Sequence, residues 1–217
     1  MKKIFFFLAL ASAAIACTND NASQETAATT EVAEASGNES AGIALTSSSL
    51  KWTGKKLTGE HFGTIQISKG NLILEGDQLT GGDFTINMNT IVVEDLTDPD
   101  KNKDLTDHLF SDDFFSVANH PEATFTITGV EALATPDAAG NTHTISGNLT
   151  IKGITQGIRF PAMVSIDNAG VTAKANFNID RTLWDIKFKS GKFFPELGDK
   201  AISDEIGIAL ALTAAKS

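Results

Sequence analysis

Residues 108–125 read HLFSDDFFSVANHPEATF, setting two histidines, two adjacent aspartates and four phenylalanines in one short stretch. Histidine beside carboxylate is raw material for metal ligation and for acid–base chemistry. The spacing supplies neither. His108 and His120 lie twelve residues apart across an irregular segment, whereas zinc ligands come in short pairs. Asp112 and Asp113 are neighbours, so at most one of them can face inward. His61 follows a loop and His143 opens a strand, which leaves all four histidines without ligand spacing.

A second candidate is the acidic stretch DPDKNKD, where Asp98, Asp100, Asn102 and Asp104 match the first four ligand positions of a calcium loop. Lys103 stands where that loop needs Gly, and Leu109 where it needs Glu. The stretch therefore reads as a solvated helix N-terminus, whose acids suit the helix dipole. The sequence holds no Gly-x-Ser-x-Gly elbow, and its one cysteine is placed for different chemistry. No catalytic residue and no metal site is assigned.

That cysteine is Cys17. Lys2 and Lys3 precede an apolar run, Ile4 to Ile15, and small residues lead up to it. Residues 1–16 read as a secretory signal, too short to span a bilayer as a stable helix. AAIAC resembles a lipobox, with Ala14 in the usual Leu position, so Cys17 is expected to be lipidated. Residues 17–42 lack aromatics and any apolar period, and are expected to be a disordered tether. The expected location is the bacterial cell envelope, anchored through Cys17 and facing the periplasm or the cell surface. Thr18, by analogy with enteric lipoproteins, points to the outer membrane. Losing the signal removes two lysines and takes the net charge from −10 to about −12. That balance argues against nucleic acid or an anionic membrane surface as partner.

Residues 43–217 suit one domain, and period-two alternation dominates it. Ile145, Gly147, Leu149 and Ile151 share a face, as do Ile158, Phe160, Ala162, Val164 and Ile166, and then Val171, Ala173, Ala175, Phe177 and Ile179. Turn residues separate the three runs, so they form an antiparallel meander with one dry face. Ile65 and Ile67, then Phe84, Ile86 and Met88, then Phe125 and Ile127, repeat the pattern, as does the run from Ile202 to Leu212. With a strand around Trp52 the count is about eight. One helical insertion is predicted over Asp100–Leu109, capped by Thr97 or Asp98. The class is all-β; alternation leaves a sandwich and a barrel equally open.

The segment HLFSDDFFSVANHPEATFTIT, followed by ISGNLTIKGIT, resembles the YceI-like family of bacterial lipid-binding proteins. The resemblance lies in a helix ending in His-Leu, an Asp-Phe-Phe element, a PxATF strand start and a Gly-x-Leu-Thr-x-Lys-Gly hairpin. DRTLWDIKFKSGKFF and LGDKAISDEIGI are similar to the C-terminal pattern of lipoproteins in that family. The likeness runs from about Ser48 to Ala214. It implies an extended lipocalin-like antiparallel β-barrel with an apolar tunnel, binding a polyisoprenoid lipid such as an isoprenoid quinone, with no other cofactor and no catalytic residues.

On that basis the ligand-contacting residues are expected to be Ile86, Met88, Phe125, Ile127, Leu149, Phe160, Val164 and Phe177, with Phe114 beside them. Leu109, Phe110, Phe114 and Phe115 are expected to plug or line part of the barrel. Trp52 and Trp184 are expected at barrel ends, and His108 and His120 to satisfy loop backbone. A homodimer could form through an exposed edge or mouth. The competing readings are a structural or stress-related envelope protein with a filled barrel and, more distantly, a hydrolase or metal-dependent enzyme.

Overall fold

A computed structural model describes residues 24–34 and 42–216. Among them the alternating runs form β1 (Ala28–Thr30), β2 (Ile43–Lys56), β3 (Gly59–Glu75), β4 (Gln78–Val93), β5 (Glu122–Ala132), β6 (His143–Ile151), β7 (Ile154–Ile166), β8 (Gly170–Asp180) and β9 (Ile202–Ala215). From β2 onward each strand pairs antiparallel with the next, and β9 returns to β2. Eight strands thus close an up-and-down barrel, and β1 lies outside it. Closure removes free edges from the wall, so among the described residues β1 is the one strand left for the edge pairing considered above.

Alternation decides which side chains go in. Ile158, Phe160, Ala162 and Val164 of β7 are buried, as are Val171, Ala175, Phe177 and Ile179 of β8. The helix α1 (Pro99–Phe110) joins β4 to β5. Asp98 caps it, its carboxylate accepting from the Asp100 and Lys101 amides at 3.1 and 3.3 Å, with Pro99 in the first turn. The acidic stretch is a helix cap. At the other terminus the Ser111 N–H bonds back to the Asp107 and His108 carbonyls. Pro121 follows, its carbonyl accepting from the Met88 amide at 2.9 Å as β5 begins.

One end of the barrel carries α1, the β2–β3 and β6–β7 turns, and residues 181–201 with two short 3-10 segments, Arg181–Trp184 and Pro195–Lys200. It is called the helix end below; the opposite end carries the β3–β4, β5–β6 and β7–β8 connections, the longest of them residues 133–142.

The wall has one weak seam. β7 and β8 share four register pairs, from Met163↔Lys174 to Ile166↔Val171. Nearer the helix end residues 24–34 lie across the gap. Asn178 exchanges backbone bonds with Glu25 and Ala27, and Ala28–Thr30 pairs with Gly157–Arg159. The Gln24 amide donates to the Phe177 and Ile208 carbonyls at 2.7 Å. Gly157 is what admits this strap: a Cβ there would stand 2.5 Å from the Glu31 carbonyl oxygen. The expectation of a free tether over 17–42 is corrected for residues 24–34, whose backbone bonds offset an ordering cost that their side chains cannot.

Candidate ligand-binding cavity

The dry faces of the strands enclose a cavity of about 190 Å³. Ile86, Met88, Phe125, Ile127, Leu149, Phe160, Val164, Phe177 and Phe114 all stand on its wall. An engineered apolar cavity of about 150 Å³ stays dry and takes up benzene. This chamber therefore has room for a short hydrocarbon segment without rearrangement.

Four inward phenylalanines cross the chamber from β4 to β8. Phe84 and Phe125 lie 6.3 Å apart by ring centroids, Phe125 and Phe160 5.7 Å, and Phe160 stacks on Phe177 at 4.0 Å. Gly147 makes this row fit, since a Cβ there would meet the Phe125 ring at 2.4 Å.

The stretch that opened the sequence analysis closes the helix end. Leu109, Phe114 and Phe115 line the cavity, whereas Phe110 packs against the core without bordering it. After α1 the chain turns tightly. The Ser116 amide bonds the Ser111 carbonyl at 2.8 Å, and its hydroxyl bonds the Asp112 carboxylate. His108 sits 3.3 Å from an Asp113 carboxylate oxygen and edge-on to the rings of Phe114 and Phe188. The expectation that it serves loop backbone is corrected: its partners are a carboxylate and two aromatic faces. His120 has no side-chain bond to loop backbone among the described contacts.

The other histidines lie apart. His61 Nδ1 is 2.7 Å from Asp95. Burial pushes the Asp95 carboxyl up, but His61 and the Phe62 amide outweigh it and hold Asp95 below the usual carboxylate range. Burial also pushes His143 down. Among the described residues no three His, Cys, Asp or Glu side chains gather as metal ligands.

Both tryptophans sit toward the helix end with their indoles bonded, Trp52 to the Val92 carbonyl at 3.2 Å and Trp184 to the Leu149 carbonyl at 3.1 Å. The polar residues on the cavity wall are Lys174, Arg181, Ser203 and Glu205. Three of these four belong to the helix end, and they border the chamber almost entirely through apolar atoms, so its wall is oily throughout. Arg181 is 1% exposed and donates to the Ser203, Ile186 and Ile202 carbonyls at 2.9, 2.7 and 3.1 Å. Asp204 lies 3.5 Å away. Burial presses the guanidinium downward, and Asp204 and Asp180 oppose it.

Sequence reasoning about contacts missed Arg181, although a signal exists. Arg181 continues the phase of Val171, Ala173, Ala175, Phe177 and Ile179, and Asp204 falls in phase with Ile206, Ile208, Leu210 and Leu212. Opposite charges continuing the dry phase of adjacent strands announce a buried cation with a partner. Cys17 and the signal segment lie outside the described residues.

A closed antiparallel barrel around an apolar chamber defines a lipocalin-like β-barrel. The chain belongs to the YceI-like family, whose domain model matches residues 42–214. A UPF0312 protein of Pectobacterium atrosepticum is 31% identical over 128 residues, which are 58% of this chain and 58% of that protein. The chain thus spans under two thirds of the length of this curated relative. Burkholderia cenocepacia BcnA has the same fold at 22% identity and TM-score 0.60, covering 79% of this chain and 99% of that one. So does a polyisoprenoid binding domain from Saccharophagus degradans, at 14% identity and TM-score 0.53, covering 81% and 99%.

Proposed function

We propose that this protein binds lipid, holding a polyisoprenoid-type chain such as that of an isoprenoid quinone in the barrel. The observation that carries the reading is the hydrocarbon-lined chamber inside a closed barrel. Similarity to a domain described as polyisoprenoid-binding supports it. Binding is by burial: each CH₂-sized group removed from water contributes ~0.8 kcal/mol. Four or five isoprene units therefore suffice against an association cost of ~4–15 kcal/mol. No chemical step is invoked. A chain of that length exceeds the present chamber, so the stacked Phe160 and Phe177 rings must swing aside to admit it. The polar head is left outside the oily chamber, in water.

The proposal includes lipidation of Cys17 and residence in the cell envelope, supported by the signal and lipobox pattern at residues 1–17. The test is a melting series. Delipidated protein is heated with polyprenols of increasing length. The melting temperature is expected to rise with chain length until the chamber is full, since a ligand at a hundred times its Kd adds ~2.7 kcal/mol to stability. A melting temperature that no prenyl chain moves would leave the filled, structural barrel as the better reading.

A further inference from the structure

The barrel wall is least bonded where β7 meets β8. Their ladder ends at Met163↔Lys174, and the next position of β7 in the same phase is Pro161. The Ala162 carbonyl accepts from the Thr142 amide at 3.0 Å, and the Val164 amide donates to the Thr142 hydroxyl at 2.9 Å. Backbone groups alternate sides along a strand, so position 161 faces β8, and proline has no N–H to give it. Continuing the register would set Ala162 opposite Ala175 and Phe160 opposite Phe177, but among the described residues the ladder stops before either pair.

Behind this gap lies the chamber. Phe160, Ala162, Ala175 and Phe177 all line it, as does the exposed Lys174 on the last rung. The Phe160 and Phe177 rings stack across the gap at 4.0 Å, so a pair of rings holds the inside of the wall shut where backbone bonds are missing. Ala162 and Ala175 add only methyl groups beside them.

In front of the gap lies the strap. It bonds to β8 through Asn178 and to β7 through Gly157–Arg159, taking the place of the missing rungs. The Asn178 side chain donates to the Gln24 carbonyl and the Glu205 carboxylate at 3.0 and 3.2 Å, and the Thr26 hydroxyl bonds the same carboxylate. Its side chains bury little: from Gln24 to Thr30 only Gln24 and Ala27 are half-buried, and the rest are exposed. Lifting the strap therefore exchanges its hydrogen bonds for bonds to water and uncovers almost no apolar side chain, which is the mark of low local stability. Every other neighbouring pair of barrel strands has a longer ladder to break.

We infer that the β7–β8 seam is a lateral doorway to the chamber, barred by residues Gln24–Thr30. When the strap lifts and the Phe160 and Phe177 rings swing apart, a prenyl chain slides in sideways along its length, and its polar head never crosses the barrel. The inference rests on the lipid-binding reading and gives it a route. The test follows release of a bound probe, the dansyl ester of geranylgeraniol, into excess phosphatidylcholine vesicles, through the loss of energy transfer from Trp52 and Trp184. Pro161→Cys with Asn176→Cys puts two outward thiols across the seam, and after loading a short bis-methanethiosulfonate bridges them. Bridged protein is expected to release the probe about tenfold more slowly than the same protein after reductant. Gly157→Val, whose side chain displaces the strap, is expected to release it about tenfold faster than wild type. Circular dichroism checks each variant for fold; should Gly157→Val fail, Thr26→Ala, which cuts the tie to Glu205, takes its place with the same expected direction. Equal release from bridged and reduced protein places the route at a barrel end and overturns the doorway, while lipid binding stands. Slowing on bridging, with release unchanged when the strap is loosened, overturns the strap as its bar. A wild type that takes up no probe sinks the binding reading and the doorway together.

Discussion

Phe160 is the residue on which the chamber most depends, because it touches both Phe125 and Phe177. Phe160→Ala is expected to cost about 3–5 kcal/mol of stability, through lost burial and the hole left behind, as read by urea unfolding. Arg181 is the polar counterpart. Arg181→Met leaves the Ser203, Ile186 and Ile202 carbonyls short of a donor and Asp204 without its cation. A loss of about 3–5 kcal/mol is expected, again by denaturant titration. Asp95 gives a pH dependence. Its folded value lies below the unfolded value of about 3.9, so its stabilisation is complete above about pH 4 and fades as pH drops through the folded value. Asp95→Asn is therefore expected to be less stable than wild type near neutrality, with the gap narrowing below about pH 4. At this scale the dry-face residues were legible, since alternation alone puts Ile86, Phe125, Phe160 and Phe177 inside. Contact with a guest was not, because alternation carries no information on which part of a dry face is hollow.

The elements divide in the same way. A cap at Thr97 or Asp98 announced α1, and Asp98 is the one whose carboxylate supplies the bonds that the first helical amides lack. The meander β6–β7–β8 was equally plain, since turn residues sit where each apolar phase breaks. The strap over the seam was invisible. Gln24 to Ala33 carry no apolar period, and what holds them is backbone pairing, the side chains of Gln24 and Asn148, and the space over Gly157. Gly157→Val is expected to expel the strap and leave the wall closed by the four β7–β8 pairs alone. Hydrogen exchange would show it: the amides of Ala28 to Thr30 lose protection while those of β5 and β6 keep theirs.

For the molecule as a whole, alternation could not distinguish a sandwich from a barrel, because both give strands with one dry face. What decides is the pairing of β9 with β2 and β7 with β8, set by register between strands distant in sequence. The resemblance carried by residues 108–128, 145–155, 180–194 and 197–208 supplied that topology. Closure then fixes the rest, since eight strands leave an interior that side chains nearly fill and that one apolar guest can share. The most direct measurement is mass spectrometry of an organic extract of the folded protein, purified gently from its own host. The wild type is expected to yield a prenyl-chain lipid in near-stoichiometric amount, and Ala175→Phe, which puts a ring into the chamber, is expected to yield far less. A folded wild type that yields no such lipid, or a lipid content that Ala175→Phe leaves unchanged, would contradict the account.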